Sequence, residues 1–414
     1  MLYEHFQFML AASRGDHVQA YAHQERACGC FHLAFEKDTA WSLPALHTLD
    51  LSLRRVAMRA DAQLKAEEKK PDKLGEAAGM LQKSFRITAT DRAPLESSKK
   101  WGSLHVINNL FKIYFQLNNL RLCQILIRTV EGPGFPKALD GQTLSGRKFP
   151  TAQLVTYHYF VGTRFPSIVS APCALHGLNQ THACSATRLE RVHARSASGL
   201  ATHAVDCMRA SAHKAHPRNA SVQSSCAGRL SLLNSQFAQA ERQLTFSFTR
   251  CPSAAFKNKR LILRYLVPTR LVLGVFPSRE LLQRYRLTYF MPLCRAVDRG
   301  DLRLFERELD AHQQLFIRHG SYLLIERSKT IAYRNFFRRV HTLHPPGTAK
   351  LDVPVFKRCL DAAGVVMDTD EIECVLANLI YKGYIKGYIS HQHGKLVVSK
   401  GNPFPALREV LGAE

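Results

Sequence analysis

Apolar positions along the chain recur mostly at helical spacing. In WGSLHVINNLFKIYFQLNNLRLCQILIRTV (101–130), Leu104, Ile107, Phe111 and Tyr114 fall three or four residues apart, which places them on one helix face. Asn118-Asn119 interrupt the run before a second apolar stretch, so the segment predicts an αα-hairpin. Similar pairs are predicted at 234–250 with 254–274 and at 277–298 with 301–317. In the last of these, Leu302, Phe305, Leu309 and Phe316 share a face behind Arg299-Gly300-Asp301, a helix stop followed by a new N-cap. Successive antiparallel pairs that each bury one face on the next describe a solenoid, although no fixed repeat period is visible.

A last long helix is predicted over about 321–343, ending at the breaker His344-Pro345-Pro346-Gly347, where a domain boundary is expected. Two helices follow, VPVFKRCLDAAG (353–364) and DTDEIECVLANLIYKG (368–383). The second has Asp368 and Glu371 at capping-box spacing, Ile372, Val375, Leu376, Leu379 and Ile380 on one face, and Gly383 as its stop. The remaining stretch, through YISHQHGKLVVSK, predicts two short strands around a His-Gly turn. An isolated hairpin is marginal in water, so this one must pack on the preceding helices as the wing of a winged helix. The expected fold is therefore mainly α: a helical-repeat solenoid followed by a C-terminal winged helix with a small β-hairpin. Its expected divisions are repeats over 1–162, an atypical and disordered insertion over 163–230, repeats over 231–346, the winged helix over 347–407 and a tail over 408–414.

Charge narrows the choice of partners. With 57 Lys and Arg against 33 Asp and Glu, the net charge is +24 and the pI about 9.8, which predicts a polyanionic partner: nucleic acid, an acidic protein or an anionic membrane surface. The surplus is uneven, with 19 basic and 7 acidic residues over 250–349 but 8 of each over 350–414. Within the winged helix, acids dominate 361–373, whereas Lys382, Lys386, Lys395 and Lys400 have no acid among them. Interleaved with Tyr381, Tyr384 and Tyr388, these lysines suit phosphates while aromatic faces meet bases. Arg334, Arg338 and Arg339 on the preceding helix extend the candidate patch. Asp370, Glu371 and Glu373 argue against base readout by helix 368–382, so sequence-independent binding is expected.

Other chemistry is sparse. The amino terminus lacks the basic start and long apolar run of a signal peptide, and LILRYLVPTRLVLGVF (261–276) is cut by Arg264, Pro268 and Arg270, so a soluble intracellular protein without membrane insertion is expected. Eleven cysteines in that setting are expected to be reduced, with Cys123, Cys251, Cys294, Cys359 and Cys374 serving as small buried hydrophobes. His391-Gln392-His393 lacks ligand-spaced partners and is expected to be a polar turn. Cys173-x-x-His176 with His182-x-Cys184 is the most zinc-like cluster, inside the insertion, and no metal site is expected. A phosphate-binding GKS/T loop, dinucleotide fingerprint, nucleophile elbow and HExxH are all missing from the sequence; no enzymatic activity and no cofactor are expected.

Long runs then carry a resemblance. SKKWGSLHVINNLFKIYFQLNNLRLCQILIR (98–128), KNKRLILRYLVPTRLVLGVFPS (257–278), residues 300–340 and ECVLANLIYKGYIKGYISHQHGKLVVSKGNPFP (373–405) resemble the family of PCI-domain-containing protein two, the PCI subunit of the second transcription-and-export complex. The resemblance covers most of 20–162 and 232–407. It implies a TPR-like helical repeat ending in a winged helix, bound to a GANP-type scaffold subunit and a small acidic Dss/Sem-type subunit. It also implies a role in messenger RNA export at the nuclear pore, in the nucleus and possibly also the cytoplasm. Basic residues on the family's winged helix bind RNA or DNA, and Lys357, Arg358, Lys382, Lys386, Lys395 and Lys400 are the matching positions here. Two features depart from the family: a shorter amino-terminal region, and the 163–230 segment, which interrupts the family's helix after Tyr159-Phe160-Val161-Gly162. Two alternatives stay open: a structural PCI subunit of a proteasome-lid or signalosome-like assembly without nucleic-acid binding, and a defective isoform.

Overall fold

The computed structural model describes residues 1–168, 236–345 and 347–411. Most of the expected insertion, including its Cys173/His176 and His182/Cys184 cluster, lies outside the described residues, as do 412–414 of the expected tail. The chain forms two compact units, the first made of Met1–Arg164 with Gln243–Ala255 and the second containing Phe256 onward. Mostly helical, it ends in a small three-stranded sheet.

In the first unit, α1 (Leu2–Ser13), α2 (His17–Lys37), α3 (Leu43–Ala66), α4 (Lys73–Ala89), α5 (Ser103–Gln116) and α6 (Leu120–Glu131) each pack on the next. The expected hairpin over 101–130 is α5 and α6. Leu104, Ile107, Phe111 and Tyr114 are all buried, and Asn118 turns the chain at φ +54°, a left-handed conformation that Asn tolerates. At the end of α2, the Lys99 ammonium donates to the carbonyls of Phe35, Glu36 and Asp38 at 3.0–3.2 Å, closing acceptors that the helix leaves open. Helix α7 (Thr151–Ile168) continues past Gly162, so the helix is not interrupted there. Helix α8 spans 236–250.

The second unit continues with α9 (Phe256–Val272), α10 (Arg279–Arg284), α11 (Phe290–Arg299), α12 (Leu302–Ala311), α13 (Gln313–His319), α14 (Tyr322–Arg327) and α15 (Lys329–Thr342). Three expected helices are thus divided. The 277–298 helix breaks around Arg286, which sits at φ +53°, and the 301–317 helix breaks at His312. The 321–343 helix breaks at Ser328, whose hydroxyl donates to the Ile325 carbonyl in competition with the backbone ladder. The stop at Gly300 has a steric reason: at φ +68° it lies so close to α15 that an added Cβ would stand 2.4 Å from the Phe336 nitrogen.

The winged helix follows as β1 (Lys350–Asp352), α16 (Val353–Ala362), α17 (Thr369–Tyr381), β2 (Gly387–Ser390) and β3 (Lys395–Val398), ahead of the short α18 (Leu407–Leu411). Instead of the expected two-stranded ribbon, the sheet has three antiparallel strands in the order β1-β3-β2. β1 is three residues long, with Leu351 buried between exposed Lys350 and Asp352, too short to show an alternating pattern. Among the described residues, no helix is long and apolar enough to cross a membrane.

Candidate nucleic-acid interface

The capping box predicted from Asp368 and Glu371 is formed: the Glu371 backbone N–H donates to Asp368 Oδ1 at 2.6 Å, and the Asp368 N–H to Glu371 Oε2 at 3.2 Å. From this start α17 buries Ile372, Leu376 and Leu379, and α16 buries Val353, Phe356 and Leu360. Gly383, at φ +75°, ends α17 and turns the chain toward the wing.

Strand register sorts the wing's side chains. Leu396 and Val398 of β3 point inward, and Leu396 faces Ile389 on one side and Leu351 on the other. The opposite face carries Lys395 and Val397, flanked by Ser390 and Tyr388 on β2 and by Asp352 and Lys350 on β1. Gly387 makes the close approach possible, because a Cβ there would meet the Val397 carbonyl oxygen at 2.2 Å. The wing turn is pinned to α17 by His391 Nδ1, 2.7 Å from Glu373 Oε2. Among the described residues, no group of three or more His, Cys, Asp or Glu is placed to hold a metal ion.

The candidate residues divide accordingly. Lys386, Lys400 and Arg358 are exposed, Lys357 is half-buried, and Lys395 is half-exposed on the outer sheet face, 3.6 Å from Asp352. Lys382, at the C-cap of α17, is half-buried, and burial with the neighbouring Arg327 pushes its ammonium down to about 8, so most of it keeps its charge at neutral pH. Tyr388 and Tyr381 are more than half exposed, whereas Tyr384 is buried and offers no face to a base. Lys350 joins the outer face, and sequence reasoning missed it because β1 was not foreseen.

Arg334 does not extend the patch. It is buried in α15, where its guanidinium donates to the carbonyls of Phe404 and Pro405 at 3.1 and 2.8 Å and to Asn335 Oδ1 at 2.8 Å. Burial holds its pKa down at about 10. Arg338 is exposed. Arg339 donates to the Arg299 carbonyl at 2.9 Å and lines a separate open groove with Arg299, Arg303 and Arg307. That groove has an apolar floor of Leu304, Phe336 and Val340, and Asp301 is the only acid along it.

The cysteine expectation holds for Cys123 and Cys251, which are buried; Cys294 and Cys359 are partly exposed. Cys374 is exposed, because it lies off the Ile372–Leu376–Leu379 stripe.

A helical array that closes with a three-stranded winged helix is the architecture of a PCI scaffold subunit, and residues 309–400 match the PCI domain. The chain is 36% identical to PCI domain-containing protein 2 of Xenopus laevis over 99% of its length and 85% of that protein. It is 37% identical to PCI domain-containing protein 2 of Danio rerio with the same coverage. Its identity to the PCI domain-containing protein 2 homolog of Drosophila melanogaster is 32%, over 97% of this chain and 82% of that one. The chain belongs to the PCI domain-containing protein 2 family.

Proposed function

We propose that this chain is a non-enzymatic adaptor of a nuclear-pore-associated, transcription-coupled messenger RNA export complex, joining a GANP-type scaffold and holding RNA or DNA through its winged helix. The observation that supports this reading best is the outer sheet face, where Lys350, Lys395 and exposed Tyr388 lie side by side, with Lys386 and Lys400 at the strand ends. Lysines along one face track a phosphate backbone without reading sequence, and an exposed tyrosine supplies a stacking surface. A small acidic Dss/Sem-type subunit is matched in charge by the groove of Arg299, Arg303, Arg307 and Arg339.

The test is co-purification of this chain with the PCI region of a GANP-type scaffold and the acidic subunit, followed by single-strand binding of the assembly. Joint elution and binding that depends on the winged-helix lysines support the proposal. A second reading, a purely structural subunit, is favoured by the balanced charge of 350–414 and by Asp352 beside Lys395. An assembly that forms normally but shows no single-strand binding selects that reading instead.

A further inference from the structure

Helices α3 and α5 of the first unit pack on each other, and a cationic cluster sits where they meet. Arg54 and Arg55 come from α3 and Lys112 from α5; Arg54 and Lys112 are half-buried, and Arg55 is exposed. Among the described residues, no carboxylate lies within 4 Å of any of the three.

Lys112 is the unusual member. Burial lowers its pKa, the charges of Arg54 and Arg55 lower it further, and no acid acts in the other direction. Its ammonium has no hydrogen-bond or ion-pair partner among the described residues, yet it is not sealed away from solvent. Arg54 is fixed beside it. Its Nε donates to Asn109 Oδ1 at 3.0 Å and one terminal nitrogen lies 3.4 Å from Met58 Sδ, while Asn109 donates to the His105 carbonyl at 3.1 Å. The other terminal nitrogen of Arg54 has no partner among the described residues. Holding an ammonium half-buried beside two guanidiniums costs stability, because each charge is partly desolvated and each repels the others. An anion seated among them supplies the missing counter-charge.

We infer that this α3–α5 surface binds a phosphorylated serine or threonine side chain of a partner protein, with the phosphate oxygens shared among Lys112, Arg54 and Arg55. A phosphate monoester suits three cations better than a carboxylate does, because it brings nearly two negative charges and three acceptor oxygens. A peptide suits the surface better than a nucleic-acid strand. The neighbouring rings are already packed, His105 on His47 with centroids 4.1 Å apart and Phe115 on Phe160 at 4.9 Å, so no ring face is left for a base. Exposed Met58 offers an apolar contact to a side chain flanking the phosphate. None of these residues belongs to the wing, so the site stands or falls separately from the winged-helix interface.

The probe is a labelled pool of nine-residue peptides, randomised except for a central phosphoserine, compared with the same pool carrying serine there. In anisotropy titrations the full-length protein is expected to bind the phosphorylated pool saturably and the serine pool at least tenfold more weakly. Lys112→Gln and Arg54→Gln are each expected to weaken the first about tenfold, and Arg55→Gln, on the exposed rim, severalfold. Lys65→Gln, the same loss of charge at an exposed position of α3, is expected to change nothing. Urea unfolding separates binding from a structural role: because Lys112→Gln removes an uncompensated charge, its midpoint is expected to stay level or rise. A lowered midpoint would make Lys112 a structural residue and overturn the site. Equal binding of the two pools or unchanged affinity in the variants would do the same. So would a larger loss of oligouridylate binding than of phosphopeptide binding in Lys112→Gln, which would assign the surface to a single strand.

Discussion

Arg334, buried in α15, donates a 3.1 Å hydrogen bond to the carbonyl of Phe404, beyond the last strand of the winged helix, and its guanidinium also lies 5.8 Å from the Phe404 ring centroid. With the second bond to Pro405, one side chain ties the helical repeat to the segment that closes the wing. Phe337 on the same helix meets Phe356 of α16 edge-on at 5.3 Å. The wing is therefore carried on α15 instead of hanging from a linker.

Replacing Arg334 leaves two buried carbonyls without donors. Arg334→Met is expected to cost about 2–4 kcal/mol in urea unfolding, since hydrogen bonds to charged groups contribute more than neutral ones and the orphaned acceptors stay buried. A loss below about 0.5 kcal/mol would mean that water replaces the guanidinium at no cost, and that the wing is held by apolar packing alone.

Gly387→Val places a branched side chain where even a Cβ would stand 2.2 Å from the Val397 carbonyl oxygen, so β2 and β3 must separate. The helical array does not depend on that pairing. Far-ultraviolet circular dichroism is expected to stay close to that of the parent while single-strand binding falls severalfold; retained binding would show that the wing sheet is not the interface.

A buried chain in the first unit sets a pH dependence. His32 Nε2 and Asp50 Oδ1 both bond the Ser84 hydroxyl, at 2.8 and 2.9 Å. Burial pushes Asp50 up to about 7 from 3.8, and pulls His32 and His105 down to about 4 from 6.5. The folded state binds the Asp50 proton more tightly than the unfolded chain, so this group's contribution is present below pH 3.8 and lost as pH rises through 7. The histidines act in the opposite sense: their contribution is present above 6.5 and lost as pH falls toward 4. Asp50→Asn removes the first effect alone. Guanidinium midpoints of the variant are expected to fall steadily from pH 6.5 to 4, and to gain on the parent as pH rises from 4 to 7; parallel curves for the two proteins would contradict the assignment.

Much of this architecture was legible in the residues. Leu104, Ile107, Phe111 and Tyr114 marked a face that is buried, and Asp368 with Glu371 marked a capping box that is formed, because both signals are local and repeat at helical spacing. Lys350 was not legible: a three-residue strand takes its identity from β3, which lies far along the chain. Arg334 was taken for a surface cation because it repeats with Arg338, yet it also stands three residues from both Ile331 and Phe337, which are buried. An arginine inside an apolar stripe was the available sign that it is structural. The groove cations Arg299, Arg303 and Arg307 went unnoticed because they come from two helices and meet Arg339 only in the fold.

The proposed interface is tested most directly by the salt dependence of single-strand binding by the assembled complex, with and without Lys350→Glu, Lys386→Glu and Lys395→Glu together. Each phosphate contact contributes about 0.7 to the slope of log K against log salt, so losing three is expected to flatten it by about 2 and weaken binding at low salt. Unchanged slope and affinity in an assembly that still forms would contradict the interface.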